Sequence, residues 1–120
     1  MEHADLTGKI IACAIEVHKK LGPGFIESLY QNALPIELKK QGLKSESQKE
    51  IKVYYDGIEI GTHRLDLIID KKVIVELKAV IDFNDSHAAQ LRSYLKATGI
   101  KVGLLINFGK STLAVKRVVN

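Results

Sequence analysis

Cysteine is almost absent. Cys13 stands alone in 120 residues, so no internal disulfide can form, and no Cys/His cluster has the spacing of a zinc site. Its neighbours Ile10, Ile11, Ala14 and Val17 form an apolar helical pattern, which makes Cys13 a small buried hydrophobe. No apolar run is long enough to span a membrane, and the opening MEHADLTGK lacks the apolar centre of a signal peptide; the expected location is cytoplasmic. Dense basic runs are missing too, so the net charge of +4 is compatible with a nucleic-acid partner without establishing one. With no internal repeat and no low-complexity linker, a single domain over residues 1–120 is expected. What the chain does have is apolar content, 46%, enough for a real core.

That apolar content is patterned. Leu6, Ile10, Ala14, Val17 and Leu21 recur at helical steps and predict a helix over Asp5–Leu21. Gly22-Pro23-Gly24 breaks it. A second helix is expected from Phe25 to Gln41, kinked at Pro35, which lacks a backbone donor, and stopped at Gly42. Strands follow over Ile51–Tyr55 and Ile58–Ile69, joined by the hairpin dipeptide Asp56-Gly57. Asp70-Lys71-Lys72 is a polar turn into a β-branched strand, Val73–Val80. A third helix, Ser86–Thr98, is expected to be capped by Asp85 or Ser86. Two more strands, Lys101–Phe108 and Thr112–Val119, complete the order ααβββαββ. A helical crossover between the third and fourth strands implies a parallel pair. The fold class is therefore α/β or α+β, one mixed β-sheet flanked by helices.

The chemistry concentrates in Arg64-Leu65-Asp66-Leu67 and Val75-Glu76-Leu77-Lys78. Side chains alternate along a strand, so Glu76 and Lys78 share a face. If the turn is Asp70–Lys72, Ile69 pairs with Val73 and Asp66 falls opposite Glu76. Two carboxylates facing each other across strands repel, and their apolar neighbours add a desolvation cost. Crowding should raise the titration of at least one of the two when no cation is bound, while Lys78 acts the other way and favours the ionised forms, so the residues alone leave the net direction open. A hard divalent cation between them offsets the repulsion, and Lys78 could hold or deprotonate a water there. Taken blandly, the same residues are a solvated face with a Glu–Lys pair.

Two other segments bear on the site. Glu27 falls in the first turn of the second helix, where the helix dipole alone favours a carboxylate by ~0.3–1 kcal/mol; Tyr30, one turn on, reads as core. Gln90 and Tyr94 share a face of the third helix, which by itself describes only a local surface pair.

Together these residues resemble the GxxExxY proteins, a small prokaryotic group placed in the PD-(D/E)xK nuclease superfamily. The naming motif is Gly24-Phe25-Ile26-Glu27-Ser28-Leu29-Tyr30. The likeness runs from Ile10-Ile11-Ala12-Cys13 to Leu104-Leu105-Ile106-Asn107-Phe108-Gly109 and on to Asn120. It implies an αβββαβ nuclease core and a Mg²⁺ or Mn²⁺ ion on Asp66, Glu76 and the backbone carbonyl of Leu77. Glu27 would reach that ion directly or through water, and Lys78 would orient or activate the water. Gln90 and Tyr94 match the QxxxY helix motif of RecB-like nucleases, which contacts nucleic acid near the scissile phosphate. The implied activity is metal-dependent hydrolysis of phosphodiester bonds in DNA or RNA. Glu27, Asp66, Glu76, Lys78 and Gln90 are expected around one cleft. A rival reading is a non-catalytic nucleic-acid- or protein-binding module on the same fold. The chain carries no evident DNA-reading domain, which favours a homodimer, low sequence specificity or a partner that supplies targeting.

Overall fold

A computed structural model describes residues 2–120. Two helices open the chain, α1 (Ala4–Leu21) and α2 (Glu27–Lys40). Three strands follow, β1 (Ser45–Tyr55), β2 (Ile58–Ile69) and β3 (Val73–Lys78), then α3 (Asp85–Thr98), β4 (Val102–Asn107) and β5 (Ala114–Val119). This is the mixed α+β order that the patterning predicts. The strands form one sheet in chain order. β3 and β4 run parallel, joined by α3, while the other neighbouring pairs are antiparallel.

The sheet is covered on both faces. Ile10 and Val17 of α1 and Tyr30, Leu34 and Leu38 of α2 pack against Leu67, Ile69, Val75, Leu77 and Ile106. Leu91, Tyr94 and Leu95 of α3 pack against Leu65, Ile68, Ile74 and Leu105 on the other face. β3 is therefore buried on both sides, which is why it reads as a nearly unbroken apolar run. Each fully buried aliphatic side chain contributes roughly 1.5–3 kcal/mol, so the interior of the sheet holds most of the stability. Cys13 is buried as expected, and burial pushes its thiol up, with the Glu37 charge adding to the effect.

Several boundaries differ from the sequence expectation. β1 begins at Ser45, not Ile51. Ser45–Glu50 has no apolar alternation, yet this edge segment is held by backbone pairing to Arg64–Ile69 of β2. α2 begins at Glu27, with extended Ile26 before it, and runs through Pro35 without interruption. The cap of α3 is Asn84, not Asp85 or Ser86. Its side chain accepts from the N–H groups of Ser86 (2.9 Å) and His87 (3.3 Å), and His87 Nδ1 accepts from the Asn84 N–H. Asp56 and Gly57 both take positive φ, 51° and 77°, as a two-residue hairpin with matching twist requires.

β3 ends at Lys78 rather than Val80. Beyond it the chain is pinned by Asn107, fully buried at the end of β4. Asn107 Oδ1 accepts from the N–H groups of Val80 and Gly109, both at 3.0 Å, and its Nδ2 donates to the Val80 carbonyl at 2.8 Å. The Phe108 N–H donates to the Lys78 carbonyl at 2.8 Å. At Gly109 a Cβ would stand 2.6 Å from Val80 N, so only glycine lets the two segments approach this closely.

Candidate active site

The β2–β3 ladder pairs Ile69 with Val73, Ile68 with Ile74 and Leu67 with Val75, and then stops. The next positions in register are Asp66 and Glu76, and here side chains replace the backbone pairing. The Leu77 N–H donates to Asp66 Oδ2 at 2.8 Å, and the Asp66 N–H donates to Glu76 Oε1 at 3.2 Å. Each carboxylate thus spends one oxygen on the opposite strand. The two carboxyls also share a side-chain hydrogen bond with each other. Leu77 turns its N–H toward β2, so by strand geometry its carbonyl lies on that same open edge.

A local irregularity flanks Asp66. Leu65 and Ile68 pack on the α3 face, while Leu67 and Ile69 pack on the opposite one. Strict alternation therefore fails at Leu65-Asp66. Across from this point, between the pairs Ser47–Leu67 and Lys49–Leu65, Gln48 has φ 54°, a left-handed backbone uncommon for a residue with a side chain. Alternation from Ile68 already puts Asp66 on the α3 face with Glu76, and the slip brings Leu65 onto that same face.

The electrostatics follow from burial and crowding. Burial pushes the Glu76 carboxyl up to about 9; the Asp66 charge and a hydrogen bond to the Asp66 side chain act in the same direction. The Asp66 N–H and the Lys78 ammonium pull it down without reversing the shift. Glu27 is half-buried and also titrates above the usual carboxylate range, chiefly through burial, with Asp66 raising it and Lys78 and the Ala79 N–H lowering it. Tyr94 is 5% exposed. Its phenol is pushed up by burial and then by the charges of Glu76 and Asp66.

Asp66 and Glu76 are thus in direct contact with each other's strands, and Lys78, Glu27 and Tyr94 lie within electrostatic reach of them. Gln90 is exposed one turn before Tyr94 on α3, and no hydrogen bond among the described residues joins it to the acids. No group of three or more His, Cys, Asp or Glu side chains among the described residues is gathered closely enough to hold a metal ion. A cation here would rest on the acid pair with backbone and water oxygens. That donor set, two adjacent carboxyl groups beside an unpaired strand edge, suits a hard divalent cation that keeps several waters. A hollow of about 870 Å³ lies at the other end of the hairpin beside Asp70, Lys71 and Lys72, away from these groups.

Some supporting residues carry no chemical signature in the sequence. Tyr30 is core, and more: its hydroxyl donates to the Gly22 carbonyl (2.6 Å), accepts from the Phe25 N–H (3.2 Å), and its ring stacks on Phe108 at 4.5 Å. It clamps the loop that sets where α2 starts, and so where Glu27 stands. Gln31 donates to Glu27 Oε1 at 3.5 Å and accepts from Gln48 Nε2 at 3.2 Å, linking Glu27 to the irregular strand position. Asn107 fixes the segment just beyond Lys78. The ring of His63 meets that of Tyr94 edge-on at 4.7 Å. Of these, Tyr30 and Asn107 stand in the segments that carry the family resemblance, whereas Gln31, Gln48 and His63 have no local mark.

A mixed sheet with a helical β3–α3–β4 crossover, and an acid pair at the frayed end of its central hairpin, defines a nuclease-like α/β protein. Residues 4–118 match the PD-(D/E)XK nuclease superfamily, and the chain belongs to it. Members are typically nucleases and generally use divalent metals such as Mg²⁺. The fold is similar to that in the crystal structure of SSO0001, with a TM-score of 0.62 and 21% sequence identity over 78% of this chain. The chain spans 50% of the length of SSO0001. Among curated proteins, no sequence matches this one.

Proposed function

We propose that this protein is a metal-dependent nuclease of the GxxExxY kind, hydrolysing phosphodiester bonds in DNA or RNA. The observation that carries this reading is the Asp66–Glu76 pair: two carboxylates crowded at the end of a ladder, one held partly protonated by burial and by its neighbour. Such a pair is costly without a cation and favourable with one.

Asp66 Oδ1, Glu76 Oε2 and the Leu77 carbonyl would hold Mg²⁺ or Mn²⁺, with Glu27 reaching it directly or through a water. Such an ion polarises a phosphate and lowers the pKa of a bound water. The Lys78 ammonium would donate a hydrogen bond that orients the attacking water or the phosphate, while the water's proton leaves to solvent. Asn107 and Gly109 fix the backbone just beyond Lys78, which sets where its side chain leaves the strand. Tyr94 shields the acids from bulk water on the α3 side and, with exposed Gln90, offers hydrogen bonds to the nucleic acid. A homodimer would extend this small nucleic-acid surface, and a cytoplasmic location gives access to the substrate.

The test is cleavage of single-stranded DNA, double-stranded DNA and RNA by purified protein with Mg²⁺, Mn²⁺ or a chelator. The reading expects metal-dependent cutting that Lys78→Ala abolishes. Binding of nucleic acid without cutting under every metal condition would leave the non-catalytic binding module instead.

A further inference from the structure

The β1–β2 hairpin extends well past the rest of the sheet. β1 and β2 pair along Lys49–Tyr55 and Ile58–Leu65, while β3 accompanies β2 only over Leu67–Ile69. A two-stranded ribbon is marginal in water unless something supports it. Here Ile51 and His63, register partners, lean on α3. Near its tip the ribbon exposes Tyr54, Tyr55, Ile58 and Ile60, each between 58% and 68% accessible. Folding gains nothing from leaving these groups in water.

Between the ribbon and α3 lies a groove of about 380 Å³, whose walls include Lys52, Tyr54 and His63 on one side and Ser93 and Lys96 on the other. Lys52 and Lys96 bring two ammonium groups to it. Lys52 contacts Glu59 at 3.5 Å, an exposed pair worth little to stability and easily exchanged for a phosphate. The groove does not end blindly. His63 touches Tyr94, and Tyr94 is the residue through which α3 meets the acid pair.

We infer that this groove is the track for a single nucleic-acid strand leading to Asp66 and Glu76, with phosphates on Lys52 and Lys96 and an unpaired base against Tyr54. The inference rests on the nuclease reading for its destination. A single strand fits better than a duplex. Lysines flanking an exposed aromatic ring give a charged path with a stacking surface, and bases in a duplex are already stacked and paired, unable to turn onto a side-wall tyrosine. This assigns the substrate class, a single strand or a strand end, and gives the ribbon a role that its packing does not supply.

The test is fluorescence anisotropy without divalent metal, so that nothing is cut. The probes are a labelled oligothymidylate, an oligouridylate and a duplex of equal length. Single strands should bind more tightly than duplex, and the better of the two single strands names the sugar. Tyr54→Ala should weaken single-strand binding about tenfold. Lys52→Ala with Lys96→Ala should weaken it similarly and reduce the salt slope by about two. These side chains are exposed, so the fold should survive, which thermal melting checks. Lys39→Ala with Lys71→Ala, in the distant hollow, should change neither affinity nor slope. The inference is overturned if duplex binds best, if Tyr54→Ala binds as wild type, or if the distant pair loses as much as the groove pair. It is also overturned if sedimentation shows Tyr54→Ala breaking a dimer while binding is unchanged, which would assign the ribbon to a second copy of the chain. If the groove variants bind normally while Lys78→Ala still abolishes metal-dependent cutting, the groove fails and the nuclease stands. If single strands bind through the groove but no metal supports cutting, the groove stands and the nuclease fails.

Discussion

The two ends of the β2–β3 hairpin differ in how they are held. At the turn end, Leu67, Ile68 and Ile69 pair with Val75, Ile74 and Val73, all buried, and backbone bonds to backbone. One residue farther, Asp66 and Glu76 take over the acceptor role with their side chains. The first end follows the rules of a stable sheet. The second breaks them, placing charge where it is poorly solvated and like charges side by side. Active sites are places where local rules are broken at a cost met elsewhere in the fold. Here the cost is met within the same pair of strands.

Four substitutions sharpen this contrast, the largest effect first. Lys78→Ala at the acid end should lower metal-dependent cleavage roughly 10²–10⁴-fold while leaving the melting temperature near that of wild type. Leu67→Ala at the turn end should do the reverse, costing about 2–5 kcal/mol of stability, read from the denaturant midpoint, with the folded fraction still active. A comparable loss of stability in Lys78→Ala would mean that the acid end is structural after all.

The third is a pH dependence. The folded-state pKa of Glu76 lies above its ordinary 4.5, at about 9. In metal-free protein the native state therefore binds the proton more tightly than the unfolded state. The resulting stability is complete below about 4.5 and is lost as pH rises toward about 9. The slope in that window should not exceed about 1.4 kcal/mol per pH unit from this one group. Glu76→Gln should flatten it, and denaturant melts across the window would show this. A cation must displace that proton, so metal affinity should rise with pH over the same range. The smallest effect concerns the segment behind Lys78. Gly109→Ala places a methyl against the Val80 backbone and should cost about 1–3 kcal/mol, with a fall in cleavage larger than the melt alone explains.

Much of the paired end was legible in the sequence. β-branched runs, the Asp56-Gly57 hairpin and the Asp70–Lys72 turn fix the register, and the register alone puts Asp66 across from Glu76. The crossover through α3 was legible from the order of elements. The parts that escaped depend on contacts without a periodic signature. Ser45–Glu50 is a strand because β2 offers it a partner, not because of its composition. The slip at Leu65-Asp66 with left-handed Gln48 is a backbone event that side-chain alternation cannot announce. Asn84 was passed over because Asp85 and Ser86 are equally good caps, and only the extended backbone at Asn84 decides among them. His63 lies in a run of polar edge residues, and nothing local marks its contact with Tyr94. Gln90 stands one turn before Tyr94 and is exposed where Tyr94 is buried, a difference that spacing alone does not show.

The central claim is that Asp66 and Glu76 form a cation site, and thermal melting with and without divalent metal tests it most directly. Wild type should gain several degrees at millimolar Mg²⁺ or Mn²⁺, since a ligand bound only by the native state stabilises by mass action. Asp66→Asn should lose that gain and, without metal, melt at or above wild type because a poorly solvated charge is removed. Wild type that gains nothing from either ion, together with Asp66→Asn melting well below it, would contradict the account and make the acid pair part of the scaffold.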